Sequence, residues 1–259
     1  MVCLSLSVVI ITLNEEANLS RTLEGVKWAD EIVVLDSGSI DRTREIAESF
    51  HTKFFAEPWK GFAAQKNSAL QKASGDWILS LDADEEVEPA LAQEIRQTLA
   101  GNPSAAGFWI PRKNFFLNRW IRHGGFYPDP KLRLFRRGAG IFEDRLVHED
   151  LRVQGSTATL KSHLLHHAYP TLDGYLEHMN RYSSLGAQMQ TAKNGRVGFS
   201  FLDIVIRPHL TFFYNYFLRG GFLDGREGLL LHLYHAGYVS WKYAKAWERG
   251  RNSARVGSA

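Results

Sequence analysis

The chain has 259 residues, of which 44% are hydrophobic and 23% are charged, and its formal net charge is +3. These fractions are those of a globular protein, and they exclude an intrinsically disordered chain. The single cysteine, Cys3, excludes an intramolecular disulfide and a cysteine-rich zinc site, and it fits a reducing compartment.

The chain opens with an apolar segment, LSVVIIT (6–12), which predicts a buried strand. No basic cluster or small-residue cleavage site accompanies it, and it runs into acidic residues, so we expect no secretory signal. Strand and helix patterns then alternate as far as Arg112, which predicts a mostly parallel α/β sheet with crossover helices. The later predicted strands are EIVVLD (31–36), TKFFA (52–56), WILSLD (77–82) and AGFWIPR (106–112), and the predicted helices lie within 16–29, 41–50, 61–74 and 89–100.

Beyond Arg112 the pattern becomes aromatic and basic, with short strand candidates such as KLRLFRR (131–137), and from Leu172 it is helical. We therefore expect a catalytic domain at 1–170, a C-terminal helical region at 171–250 and a flexible tail at 251–259. The basic residues are not accompanied by any nucleic-acid-binding motif, so we expect no nucleic-acid partner.

The longest apolar segment, Phe199–Leu218, is interrupted by Asp203, Arg207 and His209, which is costly for a bilayer span. It is typical of an amphipathic segment lying on a membrane surface. A helical hairpin packed on the catalytic domain, or a dimer interface in a homo-oligomer, are the alternatives.

Polar residues follow three of the predicted strands where each ends. Asn14, Glu15 and Glu16 follow the first strand, Asp36 to Ser39 end the second, and Asp82 and Asp84 end the fourth. In open α/β sheets ligands bind at the carboxyl ends of the strands, so the three clusters together predict a pocket.

The acidic cluster DADEE (82–86) predicts a cation site. Asp82 and Asp84, separated by the small Ala83, can direct two carboxylates at Mg²⁺ or Mn²⁺, which leave coordination positions open for substrate phosphates. The alternative is an acidic first turn of the helix that begins near Pro89, stabilised by the helix dipole. That alternative accounts for Glu85, Glu86 and Glu88 but not for Asp82.

Several common motifs are absent. There is no G-x-G-x-x-G after the first strand, no G-x-x-x-x-G-K-[ST] and no G-x-S-x-G. Their absence argues against a dinucleotide-dependent dehydrogenase, a P-loop NTPase and a serine hydrolase of the common kind.

The ordered segments 7–47, 61–70 and 75–87 resemble inverting family 2 glycosyltransferases with the GT-A fold, a Rossmann-like sheet with flanking helices. Within that family the sequence is similar to the bacterial subgroup that transfers glucose to an inner-core heptose of lipopolysaccharide. The later strings YPDPKLRLFRR, VHED and GFLDGREGL are also similar to this subgroup. The chain departs from the family's D-S-G-S-T-D at Ile40, which replaces a turn hydroxyl.

The resemblance implies a nucleoside-diphosphate sugar donor, UDP-glucose above all, and a lipid-linked saccharide acceptor. It also implies which residues hold the donor: Thr12, Asn14, Glu15, Asp36, Ser37, Gly38, Lys66 and Asp82, with Asn67 beside Lys66. Asp84 would be the firmer metal ligand, with Asp82 nearer the ribose. Lys66 could instead be a solvated helix lysine.

The base that removes the acceptor proton should lie after the D-A-D motif. The segment FEDRLVHEDL offers Glu143, Asp144, Glu149 and Asp150, and we expect Glu149 because VHE matches the subgroup. His148 is a candidate third metal ligand.

Two further sets of basic residues have open roles. The histidines of SHLLHH (162–167) are expected to be structural or to line the pocket, because a zinc site of the usual pattern is absent. Arg133, Arg136 and Arg137 could bind diphosphate or an anionic lipid, or could lie on a solvated strand edge.

The prediction is a cytoplasmic enzyme, peripheral on the inner membrane. Two rivals are a Mg²⁺-dependent phosphatase or nucleotidyltransferase and a non-catalytic, membrane-bound sugar-binding protein. A haloacid-type phosphatase would carry its D-x-D on the first strand, which here ends in Asn14, and the intact D-A-D argues against a degenerate site.

Overall fold

The computed structural model describes residues 4–143, 150–194 and 197–256. It divides into two compact units. The first comprises Met1–Lys113 and Asp129–His167, and the second comprises Asn114–Pro128 and Ala168–Ala259. The sequence analysis placed a boundary near residue 170, whereas 114–128 also groups with the C-terminal helices, because Phe116 and Ile121 pack with Tyr175 and Leu231 in one buried cluster.

The first unit is built on a mixed sheet flanked by helices. Its strands are β1 (Leu6–Thr12), β2 (Glu31–Asp36), β3 (Lys53–Ala56), β4 (Trp77–Asp82), β5 (Glu85–Val87) and β6 (Gly107–Phe116), followed by β8 (Asp129–Arg136), β9 (Gly140–Glu143), β10 (Asp150–Val153), β11 (Thr157–Thr159) and β12 (Leu164–Tyr169), with β7 (Arg119–Trp120) in the second unit. Its helices are α1 (Leu19–Val26), α2 (Thr43–Ser49), α3 (Phe62–Leu70) and α4 (Pro89–Ala100).

The strand order in the sheet is β3-β2-β1-β4-β8-β6-β12-β5, and β11 and β7 also pair with β6. The first four strands of this order are parallel, whereas β8 runs antiparallel to β4. Strands β9 and β10 form a separate antiparallel pair. The predicted α/β fold class is confirmed.

The parallel strands form because their side chains are apolar on both faces. In β1 the residues from Val8 to Ile10 are at most 2% exposed, and they contribute to two hydrophobic clusters, one on each side of the sheet. Helices α1 and α4 cover the cluster that contains Val8, and α3 covers the one that contains Val9. This packing fixes the strand ends that carry the polar residues.

The second unit is mainly helical. Helix α5 (Leu172–Asn194) packs along α7 (Gly225–Val256), and between them in sequence lies α6 (Arg207–Phe213), flanked by π-helical turns at Leu202–Ile206 and Tyr214–Leu218. Helix α7 thus continues into the stretch that was expected to be a tail. No helix among the described residues is long and apolar enough to cross a membrane.

His232 of α7 is buried, with 1% of its surface exposed, against two glycines. A Cβ added at Gly124, whose φ is +66°, would lie 2.0 Å from its ring, and one at Gly221 would lie 2.3 Å from it. Both positions therefore require glycine, because any side chain would overlap the imidazole.

Candidate functional site

The predicted strand-end clusters lie on one edge of the sheet. In the parallel register Thr12 is paired with Asp36 of the neighbouring strand, and Ile11 is paired with Asp82 on the other side. The carboxyl ends of β2, β1 and β4 are therefore adjacent, which is where open α/β sheets bind their ligands.

Asp36 organises the turn that follows β2. Its carboxylate accepts hydrogen bonds from the backbone N–H groups of Gly38 and Ser39, both at 2.8 Å, and from the Thr12 hydroxyl at 2.9 Å. Gly38 has a φ of +100°, a conformation that favours glycine. Asp36 is 3% exposed, so its carboxylate shapes the turn rather than lying in solvent.

Two buried polar groups of the first unit lack hydrogen-bond partners among the described residues. They are the Ser37 hydroxyl and the side-chain amide of Gln65, and Gln65 is fully buried. Buried polar groups are normally paired, so both can bind a ligand or an ordered water. The sequence analysis had predicted a role in donor binding for Ser37 but had not singled out Gln65.

Asn14 and Glu15 connect the loop after β1 to the turn after β2. The Asn14 side-chain oxygen accepts the Ile40 N–H at 2.9 Å, and the Glu15 N–H donates to the Thr43 hydroxyl at 2.8 Å. Burial raises the pKa of the Glu15 carboxyl, the hydrogen bond from Asn18 lowers it, and the negative charge of Asp84 raises it again, for a net increase. Glu15 is therefore within electrostatic reach of the D-A-D motif.

Two cations hold Asp82. Lys66 Nζ lies 2.7 Å from one carboxylate oxygen, and the Arg133 guanidinium donates to the other. Burial raises the pKa of Asp82, but the charges of Arg133 and Lys66 lower it well below its usual range. Lys66 is 3% exposed, so the interpretation as a solvated lysine is wrong.

Glu85 is completely buried and shares the Arg133 guanidinium with Asp82. Its carboxylate accepts hydrogen bonds from Arg133 at 2.7 Å, from Arg112 at 2.9 Å and from the Asp82 N–H at 3.0 Å. Burial alone would lower the pKa of the Arg133 guanidinium, but Asp82 and Glu85 raise it. Asp129 binds the far side of Arg112 at 2.7 Å and extends the network.

These contacts correct the interpretation of Glu85 and Glu86 as an acidic helix turn. Both residues lie in β5, which pairs with β12, and α4 begins only at Pro89 with no acidic residue in its first turn. The partners of Glu85 are the buried arginines, which are distant in sequence. A helix dipole therefore does not account for the acidic cluster.

Asp84 faces a histidine. Its Oδ2 lies 3.3 Å from His166 Nε2, and the backbone N–H of His167 donates to the Asp84 carbonyl at 3.0 Å. Burial raises the pKa of Asp84, but the charge and hydrogen bond of His166 produce a net decrease. His167 in turn lies 2.9 Å from Glu86. The two histidines thus lie against the acidic turn, in keeping with the prediction that they are structural or line the pocket.

Asp84 and His166 supply one carboxylate and one imidazole, which are ligands that Mn²⁺ accepts. Within the described ranges no group of three or more His, Cys, Asp or Glu is placed to hold a metal ion. Both oxygens of Asp82 are bound by cationic side chains, so Asp84 and His166 are the better pair. These two residues would suit a divalent cation if substrate phosphate oxygens and water supplied its other ligands.

Asn67 links α3 to the strand that precedes the predicted base. Its side-chain amide donates to the Phe142 carbonyl at 2.8 Å, and its oxygen accepts the Phe142 N–H at 2.9 Å. Glu143, an alternative base, lies 3.0 Å from Arg152 and is paired in register with Asp150. Asp144, His148 and Glu149 lie outside the described residues.

Arg136 and Arg137 lie apart from Arg133. They bind the backbone carbonyls of Pro103 and Gly75, and Arg136 is paired in register with Trp77, at the start of β4. Because Asp82 is at the other end of β4, neither arginine reaches the D-A-D motif. The sequence pattern does not distinguish the three arginines, and it gives no sign that Arg112, Glu85 and Asp129 form one network.

Comparison with known proteins agrees with this geometry. Residues 7–157 match the family described as Glycosyl transferase family 2. The chain is 31% identical to the lipopolysaccharide core biosynthesis glycosyltransferase LpsC of Rhizobium meliloti (strain 1021), over 97% of this chain and 95% of that one. It is 30% identical to an uncharacterized glycosyltransferase of Rickettsia bellii (strain RML369-C), over 87% of this chain and 80% of that one.

The fold is also similar to that of a solved structure, the mannosyltransferase PcManGT from Pyrobaculum calidifontis in complex with GDP-Man and Mn²⁺. The TM-score is 0.56 at 16% identity, over 94% of this chain and 87% of that one. The mixed sheet, the helices around it and this likeness identify the GT-A fold. By its sequence match and its fold, the chain belongs to glycosyl transferase family 2.

Proposed function

We propose that this glycosyltransferase moves glucose from UDP-glucose onto a saccharide of the lipopolysaccharide core, or onto another lipid-linked saccharide, with inversion at the transferred carbon. One observation carries the proposal: the D-A-D motif ends β4 beside the hydrogen-bonded ends of β1 and β2, Thr12 and Asp36, and against two buried cations, Lys66 and Arg133. That combination suits a nucleoside at one side and a diphosphate at the other. The LpsC relative supports the choice of acceptor.

The donor would lie along the strand ends. Asp36, Ser37 and Gly38 would hold the nucleoside together with Thr12, Asn14 and Glu15. Lys66 would hold the diphosphate, and Asp82 would contact the ribose. The unpartnered Ser37 hydroxyl and Gln65 amide offer further hydrogen bonds to the donor. Placing these groups before the reaction reduces the reorganisation needed when negative charge develops on the leaving diphosphate.

Asp84 and His166 would hold Mg²⁺ or Mn²⁺, with His148 as a further candidate ligand. When bound, the cation supplies charge stabilisation of the departing diphosphate. Lys66 and Arg133 would add to it, since both lie against Asp82 and are buried.

Glu149 would take the proton from the acceptor hydroxyl. As that oxygen forms its bond to the anomeric carbon, the bond from this carbon to the diphosphate oxygen breaks, and the nucleoside diphosphate leaves with the electron pair. Glu143 and Asp150 are the alternatives. A lipid-linked acceptor would place this reaction at the cytoplasmic face of the inner membrane.

A thermal-shift panel tests the donor site. The full chain is heated with UDP, GDP, ADP or CMP, each with and without Mn²⁺. A ligand present at 100 times its dissociation constant should stabilise by about 2.7 kcal/mol. We expect UDP with Mn²⁺ to stabilise the wild type, Asp84→Asn to lose that shift, and the control Asp173→Asn, in an exposed position of α5, to keep it.

If none of the nucleotides stabilises the wild type, the proposed donor site is wrong, and a non-catalytic sugar-binding protein becomes the better interpretation.

A second variant, Glu149→Gln, tests the base. It should keep the thermal shift with UDP and Mn²⁺ while lowering kcat by at least about 100-fold. Should Glu143→Gln or Asp150→Asn lower kcat in its place, the base is reassigned to that residue.

A further inference from the structure

The second unit exposes a group of apolar side chains along α6 and the segments on either side of it. We define the apolar face by Phe201, Leu202, Leu210, Phe213, Phe217 and Leu218. Each of these side chains is between 49% and 67% exposed. Single exposed apolar residues are normal on protein surfaces, but a group of this kind within one short segment marks an interaction site.

Ring contacts show that the aromatic side chains of this segment form one surface. Phe213 lies 5.3 Å from Phe217, Phe212 lies 6.2 Å from Phe217, and Phe212 stacks on Tyr216 at 5.1 Å, all between ring centroids. The aromatic residues therefore meet one another rather than being scattered around the helix.

The opposite side of the same segment is fixed to α7. The Ser240 hydroxyl donates to the Ile204 carbonyl at 2.7 Å, Arg207 lies over the Tyr243 ring at 5.2 Å, and Pro208 is buried. The helix is thus anchored by one side, and the exposure of the apolar face is a property of the packed unit.

The charges of the segment indicate what covers the apolar face. Residues 199–223 contain one acidic residue, Asp203, and two arginines, Arg207 and Arg219. Asp203 is bound by Arg207 at 2.8 Å and by the Ser200 hydroxyl at 2.8 Å, whereas Arg219 is exposed beside Tyr214. The remaining charge on the segment is therefore positive.

This combination favours a lipid surface over a second copy of the chain. Symmetric pairing of two copies would cover the apolar face with the same apolar side chains, but it would offer Arg219 no free carboxylate, because the one acidic residue of the segment is already bound by Arg207. An anionic bilayer instead attracts Arg219 at its headgroups and accepts the Phe and Leu side chains below them. No described helix is suited to span the bilayer, so the segment would lie along it.

We infer that the apolar face lies in the headgroup region of a bilayer that contains anionic lipid, with Leu210 and Phe213 inserted and Arg219 at the phosphates. The inference extends the proposed action on a lipid-linked acceptor, but it rests on the exposure and charge of this segment. The identity of the donor does not enter it.

Sedimentation of the full chain with sucrose-loaded vesicles tests the inference. The vesicles contain either phosphatidylcholine alone or phosphatidylcholine with phosphatidylglycerol at roughly a third of the lipid, a fraction chosen to give a strong negative surface potential. We expect binding to the anionic vesicles, and a loss of at least about 10-fold in the partition coefficient for Leu210→Glu/Phe213→Glu. The matched control Ile40→Glu/Ile141→Glu changes two apolar residues of the first unit, 92% and 55% exposed, and should bind as the wild type does.

Three results would overturn the inference. The first is that the wild type does not sediment with anionic vesicles, and the second is that the Leu210/Phe213 variant binds as tightly as the control. The third is that light scattering without lipid shows a dimer that the variant converts to a monomer. The last result would assign the apolar face to a second copy. The nucleotide thermal shift of the Leu210/Phe213 variant is measured alongside, so that failure of lipid binding and failure of the donor site are distinguished.

Discussion

The acidic segment 82–86 of the first unit and the apolar face of the second place side chains in opposite kinds of environment. Around Asp82 and Glu85 the charged groups are buried or partly buried, with the Asp82 side chain 32% exposed, and each is bound by an opposite charge. Around Leu210 and Phe213 the apolar groups are half exposed. Buried charges are tolerated only with partners, and exposed apolar surface is favourable only when covered. The first arrangement is complete within the chain, whereas the second is completed by something outside it.

The largest effect should follow from breaking the buried charge network. Glu85→Ala removes the fully buried carboxylate that Arg112 and Arg133 share and leaves each with one remaining carboxylate partner, and we expect it to lower the free energy of unfolding by about 4 kcal/mol. Urea denaturation measures this from the midpoint at constant m-value. Glu45→Ala removes an exposed carboxylate that binds Arg42, and it should leave the midpoint unchanged within error. A Glu85→Ala midpoint equal to that of the wild type would show that water replaces the carboxylate.

The second effect concerns His232, which is buried in the helical unit. Burial and, to a lesser extent, His235 lower its pKa to about 4, although Asp224 partly opposes this. The unfolded chain therefore takes up this proton at a higher pH than the folded chain does. Stability should fall by up to about 3 kcal/mol as the pH drops from 6.5 to 4.

His232→Leu removes this group, and its unfolding free energy should be less dependent on pH across that window. The comparison is made by urea denaturation at several pH values, and the readout is the slope against pH rather than the absolute stability. Parallel slopes for the two proteins would mean that His232 does not titrate there.

Asp129 gives a smaller effect with a different pH window. Burial raises its pKa, but Arg112 and Lys131 lower it to about 2. Its contribution is present above the unfolded pKa of about 4 and is lost as the pH falls toward 2. Asp129→Asn should therefore reduce stability by about 2 kcal/mol at pH 7, with the difference from the wild type vanishing near pH 2. A difference that is constant with pH would assign the loss to packing.

The smallest effect should come from the apolar face. Leu210→Glu/Phe213→Glu places charges where the side chains are already half exposed, so the free energy of unfolding, measured by urea denaturation without lipid, should change by less than about 0.5 kcal/mol. A large loss of stability would mean that these side chains pack within the unit, and the contrast with the acidic segment would then disappear.

Local patterns predicted the framework of the first unit well. The β-branched run at 6–12 and the segment opened by Pro89 have the same bounds in the structure as in the prediction, because periodicity and helix-start signals act within a few residues. The short strands were harder to predict. Strand β5 consists of only Glu85–Val87, and its partner β12 lies far along the chain.

The candidate site was predicted in part for the same reason. Strand ends placed Thr12, Asp36 and Asp82 on one edge, which needs only the parallel order of the sheet. The partners of Glu85 could not be read from the sequence, since Arg133 reaches it only after β8 pairs antiparallel with β4. Nothing local distinguishes Arg133 from Arg136, although the two lie at opposite ends of that pairing.

Lys66 and Asn67 are consecutive residues of α3, and they point to different parts of the first unit. Lys66 binds Asp82, and Asn67 binds the backbone of β9 through both of its polar atoms. Successive residues of a helix differ in direction by about 100°, so inserting one residue before Lys66 would displace both contacts together. The register of α3 therefore sets the contact to Asp82 and the contact to β9 at the same time, and neither can be changed without the other.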